Sequence, residues 1–232
     1  MYILEEQKND IFNFPREKII SKFDELLDIS YIQTINPKIK YIPKKIRKEI
    51  ESYKDVLSKI TLISPLNEGY QHQYFHLDVY WDNDFNITNN FIFYINTLDK
   101  LLNLKSSNNV KYLSVPSLYN LIYTSGFDKE PPSMSFGKPI YISKFIPTNS
   151  MFVLDGNHRI YEAYNQNKKV IPTIYITEMQ YFQSLLNDGF RILYLIYYNY
   201  QIFNRILYSR NLLDHLKFLK KVKSINELQY HL

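Results

Sequence analysis

The stretch "MFVLDGNHRIYEAY" (Met151–Tyr164) limits what this chain can fold into more than any other. Met151 to Leu154 is an apolar run that reads as a buried strand, and Ile160, Ala163 and Tyr164 follow at the i, i+3, i+4 spacing of a helix. Between them stand Asp155, Gly156, Asn157, His158 and Arg159. A buried strand ends, a glycine turns and a helix begins. That succession belongs to an α/β domain, in which helices cover a sheet.

The neighbouring sequence continues the pattern. "VKYLSV" reads as a strand, and "PSLYNLIYTSG" as a short helix opened by Pro116 and closed by Gly126. "DKEPPSMSFG" reads as a loop, "KPIYISKF" as a strand carrying Ile140 and Ile142, "PTNS" as a turn and "VIPTIYI" as a further strand. The expected fold is α/β, with a mixed-sheet domain over residues 107–178. Residues 1–106 are expected to form a mostly helical extension with a strand near 73–82, and residues 179–232 a C-terminal helical segment.

Within the extension, Ile19, Ile20, Phe23, Leu26 and Leu27 share one helical face. After Pro43, Ile46, Ile50, Tyr53 and Leu57 share another. Phe75, Leu77, Val79 and Trp81 alternate with His76, Asp78, Tyr80 and Asp82, which is the period of a strand with one buried face. His72 lies just upstream, and a polar outer face is a plainer reading of these His and Asp residues than a metal site. "SSNNV" (Ser106 to Val110) reads as a break. From Glu178 the sequence is helical and thick with aromatics, broken near Asn187-Asp188-Gly189. Those aromatic helices are expected to cover a core or to form a homo-oligomer face.

Composition excludes several chemistries. The chain has no cysteine in 232 residues, so disulfides, thiolate metal sites and a cysteine nucleophile are ruled out. The formal charge of +5, from 28 basic and 23 acidic residues, permits phosphate contacts without arguing for nucleic acid. The basic run Lys44 to Lys48 reads first as a solvated face, and together with Lys217 to Lys223 it is the sequence feature that would favour contact with DNA. The start "MYILEEQKND" carries acidic residues where a signal peptide needs a positive region. No uncharged apolar run approaches the ~18 residues of a spanning helix. A cytoplasmic protein with no membrane partner is the expectation.

The junction itself suggests a chemistry. The first N–H groups of a helix lack internal partners and carry positive partial charge, so an anion is stabilised there. Gly156 would allow close approach, Arg159 suits bidentate phosphate contact and His158 can donate to a phosphoryl oxygen. The plainer alternative is a polar turn in which Asp155 or Asn157 caps the helix and Arg159 makes a surface ion pair.

"PIYISKFIPTNSMFVLDGNHRIYEAY" resembles the ParB/sulfiredoxin-like superfamily. The shared pattern is a Pro-Ile strand, a turn, an apolar strand, and D-G-x-H-R opening a helix with an aromatic-acidic-alanine run, here Tyr161-Glu162-Ala163. "YLSVPSLYNLIYTSG" is similar to the family's first strand and helix. The resemblance covers roughly Asn108 to Thr177.

It implies a ParB/sulfiredoxin-like fold and a nucleotide site in which Gly156, Asn157, His158 and Arg159 hold phosphates. Asp155, His158 and Glu162 would be catalytic, with Asp155 also the residue to hold a metal. The implied cofactor is a nucleoside tri- or diphosphate, ATP or CTP, with Mg2+. Asn157 stands where the family's reductases carry their reactive cysteine, so that chemistry is not expected. Family kinases need a carboxylate base, for which Asp128, Glu130 and Glu162 are candidates. No convincing helix-turn-helix follows Thr177, and no Walker-type motif exists elsewhere.

The expected function is NTP-dependent phosphoryl transfer or NTP hydrolysis at this junction. A DNA-associated regulator or nuclease is the first alternative, with DNA as partner. A non-catalytic interaction module is the second.

Overall fold

Helical and strand periods lie in blocks along this chain, and its structure, a computed structural model, describes residues 10–11, 14–64, 74–82, 86–103, 110–122, 138–209 and 220–222. In chain order the elements are β1 (Asp10–Ile11), α1 (Arg16–Glu25), α2 (Ile29–Ile35), α3 (Lys44–Lys59), β2 (Ile63–Ser64), β3 (Tyr74–Tyr80), β4 (Thr88–Tyr94) and α4 (Ile95–Asn103). They continue as β5 (Lys111–Ser114), α5 (Val115–Tyr119), β6 (Ile140–Phe145), β7 (Ser150–Asp155), α6 (Asn157–Asn165), β8 (Val170–Ile176), α7 (Glu178–Gln183) and α8 (Asp188–Tyr208). The mixed α/β class is as the sequence suggests. Several expectations lie outside the described residues: the break at 106–109, Gly126, the loop of 128–137, and His72, Asp128 and Glu130. Of the basic run 217–223, only 220–222 are described.

These elements fall into two compact units. Among the described residues, the first takes everything up to 64, His76–Ile92, and everything from Leu186 onward. The second takes Tyr74, Phe75 and Phe93–Leu185. The chain therefore passes from one to the other between β2 and β3, inside β3, inside β4 and just before α8.

The first unit is built on the helices α1, α2, α3 and α8 and on the alternating strand β3. Ile19 and Phe23 of α1, and Ile50, Tyr53 and Leu57 of α3, are buried as their spacing predicts. Leu77, Val79 and Trp81 are buried while His76, Asp78 and Tyr80 are exposed. The centre is aromatic. The Trp81 ring lies 4.8 Å from Tyr197 and 5.1 Å from Tyr200, and Phe23 lies 5.4 Å from Tyr200. Buried tyrosines need hydroxyl partners. Tyr197 donates to the Tyr80 carbonyl at 2.9 Å and Tyr200 to the Trp81 carbonyl at 2.7 Å, which ties α8 to the end of β3. Asn187 caps α8 through Phe190 N–H, so the Asn187-Asp188-Gly189 break is a helix start.

The second unit holds a four-stranded sheet in the order β5-β8-β6-β7. β5 runs antiparallel to β8, β8 parallel to β6, and β6 antiparallel to β7. One face is aliphatic. Ile140, Ile142, Val153 and Ile171 pack with Val115 and Leu118 of α5 and with Ile160 and Ala163 of α6. The other face is aromatic. Phe152 lies 6.0 Å from Phe93, 6.0 Å from Phe145 and 6.1 Å from Tyr181 of α7. Thr177 caps α7 in a reciprocal arrangement with Gln180. With both faces covered, β6 and β7 can be apolar almost throughout.

Candidate functional site at the β7 to α6 junction

β7 ends at Asp155 and α6 starts at Asn157, so the junction lies where the sequence places it. Two local features set its geometry. The β6–β7 register shifts: Tyr141 faces Asp155 but Ile142 faces Val153, leaving Leu154 as the extra residue of a bulge. Bulges bend a strand and re-aim the side chains beyond them. Gly156 follows in the left-handed region, at φ 105°. A Cβ there would stand 2.5 Å from Ile140 Cγ2 and 3.1 Å from Arg159 Nη2. Gly156 is thus required twice, by its backbone angle and by the side chains against it.

Arg159 fills the space that the glycine leaves. It is 8% exposed. Its Nη2 donates to Asp155 Oδ2 at 2.7 Å, and its Nη1 donates to the carbonyls of Pro139, at 2.9 Å, and of Lys138. The guanidinium therefore clamps the entry of β6 to the end of β7. Lys138 Nζ lies 3.7 Å from Asp155 Oδ2 and 3.3 Å from Asp99 Oδ2. Tyr141 donates to Asp99 Oδ1 at 2.6 Å. Burial, then the hydrogen bond and charge of Asp99, push the Tyr141 phenol well above its usual value. Two carboxylates and two cations balance one another across this network.

The remaining expected residues are placed as follows. Asn157 opens α6, and its Oδ1 is buried without a hydrogen-bond partner among the described residues. His158 is half-buried in the first turn. Glu162 sits one turn beyond His158 on the same helical side and accepts from Gln166 Nε2 at 2.7 Å. The α6 ladder begins with Ile160 N–H on the Gly156 carbonyl at 3.0 Å, and no side chain caps the helix. Neither Asp155 nor Asn157 serves as the cap.

Asp99, Lys138 and Tyr141 went unnoticed in the sequence. The only available signal was that Tyr141 sits out of phase with Ile140 and Ile142, and so points to the other face.

The residues do not fit a protein-held magnesium ion. Asp155 is engaged by Arg159 and Lys138, and among the described residues no group of three or more His, Asp or Glu is placed to hold a metal. Among the same residues no helix is long and apolar enough to cross a membrane. No family model, curated protein or solved structure matches the chain.

Proposed function

We propose that the protein binds a nucleotide of the ATP or CTP type in the ParB/sulfiredoxin-like manner, with its phosphates at the start of α6. The observation that carries this reading is the helix start itself. It is uncapped by any side chain and begins directly after a left-handed glycine. It also presents a buried acceptor, Asn157 Oδ1, that no donor among the described residues satisfies. Orphan amides favour an anion, and an orphan acceptor calls for a donor such as a sugar hydroxyl.

The division of labour differs from that implied by the sequence pattern. His158 is the side chain offered to a phosphoryl oxygen. Arg159 is a positioning residue, since its guanidinium is engaged within the protein. Phosphoryl transfer or NTP hydrolysis remains the reaction class in this reading, with Glu162 the candidate base among the described residues.

A thermal-shift screen of nucleotides tests binding. A ligand at about 100 times its dissociation constant should stabilise the fold by roughly 2.7 kcal/mol. Asn157→Asp supplies the contrast. An acid in the first turn favours the helix but repels a phosphate. The helix dipole offsets part of the cost of burying that charge, so the variant should stay folded, with some loss of stability, and lose the nucleotide shift. Absence of any shift in the parent protein would leave the junction as a structural clamp alone.

A further inference from the structure

Residues 29–48 contain six cations, Lys38, Lys40, Lys44, Lys45, Arg47 and Lys48, and no acid. Taking these six from the 28 basic residues of the chain leaves 22 against 23 acidic ones, so the whole positive excess lies in this one segment. All six are exposed. Lys40, Lys44, Lys45, Arg47 and Lys48 have no side-chain hydrogen bond or ion pair among the described residues. Four of the six stand in the first turns of α3, which has no acid in its first turn and no side-chain cap. Cations at the positive end of a helix are repelled by its dipole. Folding alone gives no reason for that placement.

The same segment borders an apolar groove, wholly within the first unit. Ile42 and Ile46 line it together with Leu26, Ile32, Phe203 and Leu207. Apart from the Tyr41 hydroxyl, every side chain in its wall is hydrocarbon. Tyr41 itself is 74% exposed. The cations are the sequence neighbours of Ile39, Tyr41, Ile42 and Ile46, so charge and hydrocarbon lie within a residue or two of each other.

A partner for this surface must be both anionic and apolar. A nucleic acid answers the charge alone. The groove has no amide or guanidinium to read a base edge, and a phosphodiester brings it no hydrocarbon. Five of the six cations are lysines, whose flexible ammonium groups suit a diffuse layer of charge, whereas arginine is the usual choice against the fixed carboxylates of a folded partner. An acidic membrane surface supplies both halves. Its headgroups attract lysines, and its acyl chains meet apolar side chains at the headgroup boundary. An exposed tyrosine suits that boundary, with its ring toward the chains and its hydroxyl toward water.

We propose that residues 38–48 form a peripheral docking surface for membranes rich in acidic phospholipids, with the lysines on the headgroups and Tyr41 and Ile42 entering the hydrocarbon boundary. Such a contact needs no spanning helix. It revises the expectation of no membrane partner, which rested on the lack of one.

Sedimentation of the full chain with vesicles tests this. The protein should bind vesicles of equal parts phosphatidylglycerol and phosphatidylcholine, ignore pure phosphatidylcholine, and be released by high salt. Lys44→Gln with Lys45→Gln should weaken partitioning by about fivefold for each charge removed. That variant should melt no earlier than the parent, because it relieves the repulsion at the start of α3. Insertion is read with Tyr41→Trp, against the constant signal of Trp81, the only tryptophan of the parent chain. Brominated acyl chains should quench the fluorescence of this variant. The proposal is overturned if acidic vesicles do not bind the protein, if neutral vesicles bind it equally, or if the lysine double variant binds as the parent does. It is also overturned if brominated chains leave Tyr41→Trp unquenched, or if a DNA duplex holds the parent more tightly than acidic vesicles at the same salt. No readout involves a nucleotide, so the result is independent of the reading of α6.

Discussion

Asp155 lies directly across the β6–β7 ladder from Tyr141, and the bulge at Leu154 makes this pairing possible. Without the extra residue the register would offer Leu154 to Tyr141 and set Asp155 opposite Ile140, one residue further toward the start of β6. The bulge thus brings the carboxylate to the guanidinium of Arg159, and through Lys138 to Asp99.

Arg159→Ala should act on stability before it acts on any ligand. It leaves the Asp155 carboxylate with only the more distant Lys138 ammonium and removes the shared donor of two backbone carbonyls, in a site that is only slightly exposed. Breaking a buried pair from one side costs about 3 kcal/mol. Arg159→Lys should recover little of this, because an ammonium cannot reproduce the planar fork. Urea unfolding of both variants measures the difference.

Gly156→Ala should be of similar severity, about 3 kcal/mol, from left-handed backbone strain together with overpacking against Ile140. Adding Ile140→Ala removes the Cγ2 contact but leaves the strain. The double variant should therefore regain part of the loss, as read from unfolding midpoints.

The C-terminal end of α8 depends on one buried side chain. Asn36 Nδ2 donates to the carbonyls of Leu207 and Ser209, each at 3.0 Å. Asn36→Ala should cost about 1–3 kcal/mol, since it orphans carbonyls that the helix cannot satisfy itself. Amide exchange in the last turn of α8 should quicken, while exchange in β6 and β7 should not.

Tyrosine burial sets the alkaline limit. Burial is the largest cause raising Tyr53, Tyr141, Tyr197 and Tyr200 above the ordinary phenol value of 10.0, with Tyr200 at about 12. Each holds its proton to higher pH folded than unfolded. Stability should be fully present below pH about 10 and fall as pH rises toward and past 12, because the unfolded chain ionises first. Melting temperature against pH gives the curve, and tyrosinate absorbance should lag behind that of the denatured protein.

The legible parts of the fold were those set by a local period. Ile50, Tyr53 and Leu57 read as one stripe because a helix repeats every 3.6 residues, and β3 read as a strand because its alternation is strict. The change of element at Gly156 was legible for the same reason. The role of Arg159 was not. Its place in the first turn was visible, but the fold of its side chain back toward β6 depends on the space beside Ile140. Tyr141 and Lys138 meet Asp99 across 42 and 39 residues, a juxtaposition fixed by packing and by the bulged register, which no local pattern encodes. The aromatic face around Phe152 escaped for a related reason. Its partners Phe93 and Tyr181 come from segments whose own periods do not name a common face.

The interleaving of the two units bears on how the chain matures as it is synthesised. Phe23 and Trp81 are translated early, yet their partners Tyr197 and Tyr200 follow only after the whole of Phe93–Leu185. Units generally fold as each becomes complete, and the second has nearly all its chain in one continuous run. The oldest part of the nascent polypeptide therefore finishes last. Until α8 leaves the ribosome, its aromatic side chains lack their native cover, and that interval is when a holding chaperone would find its substrate.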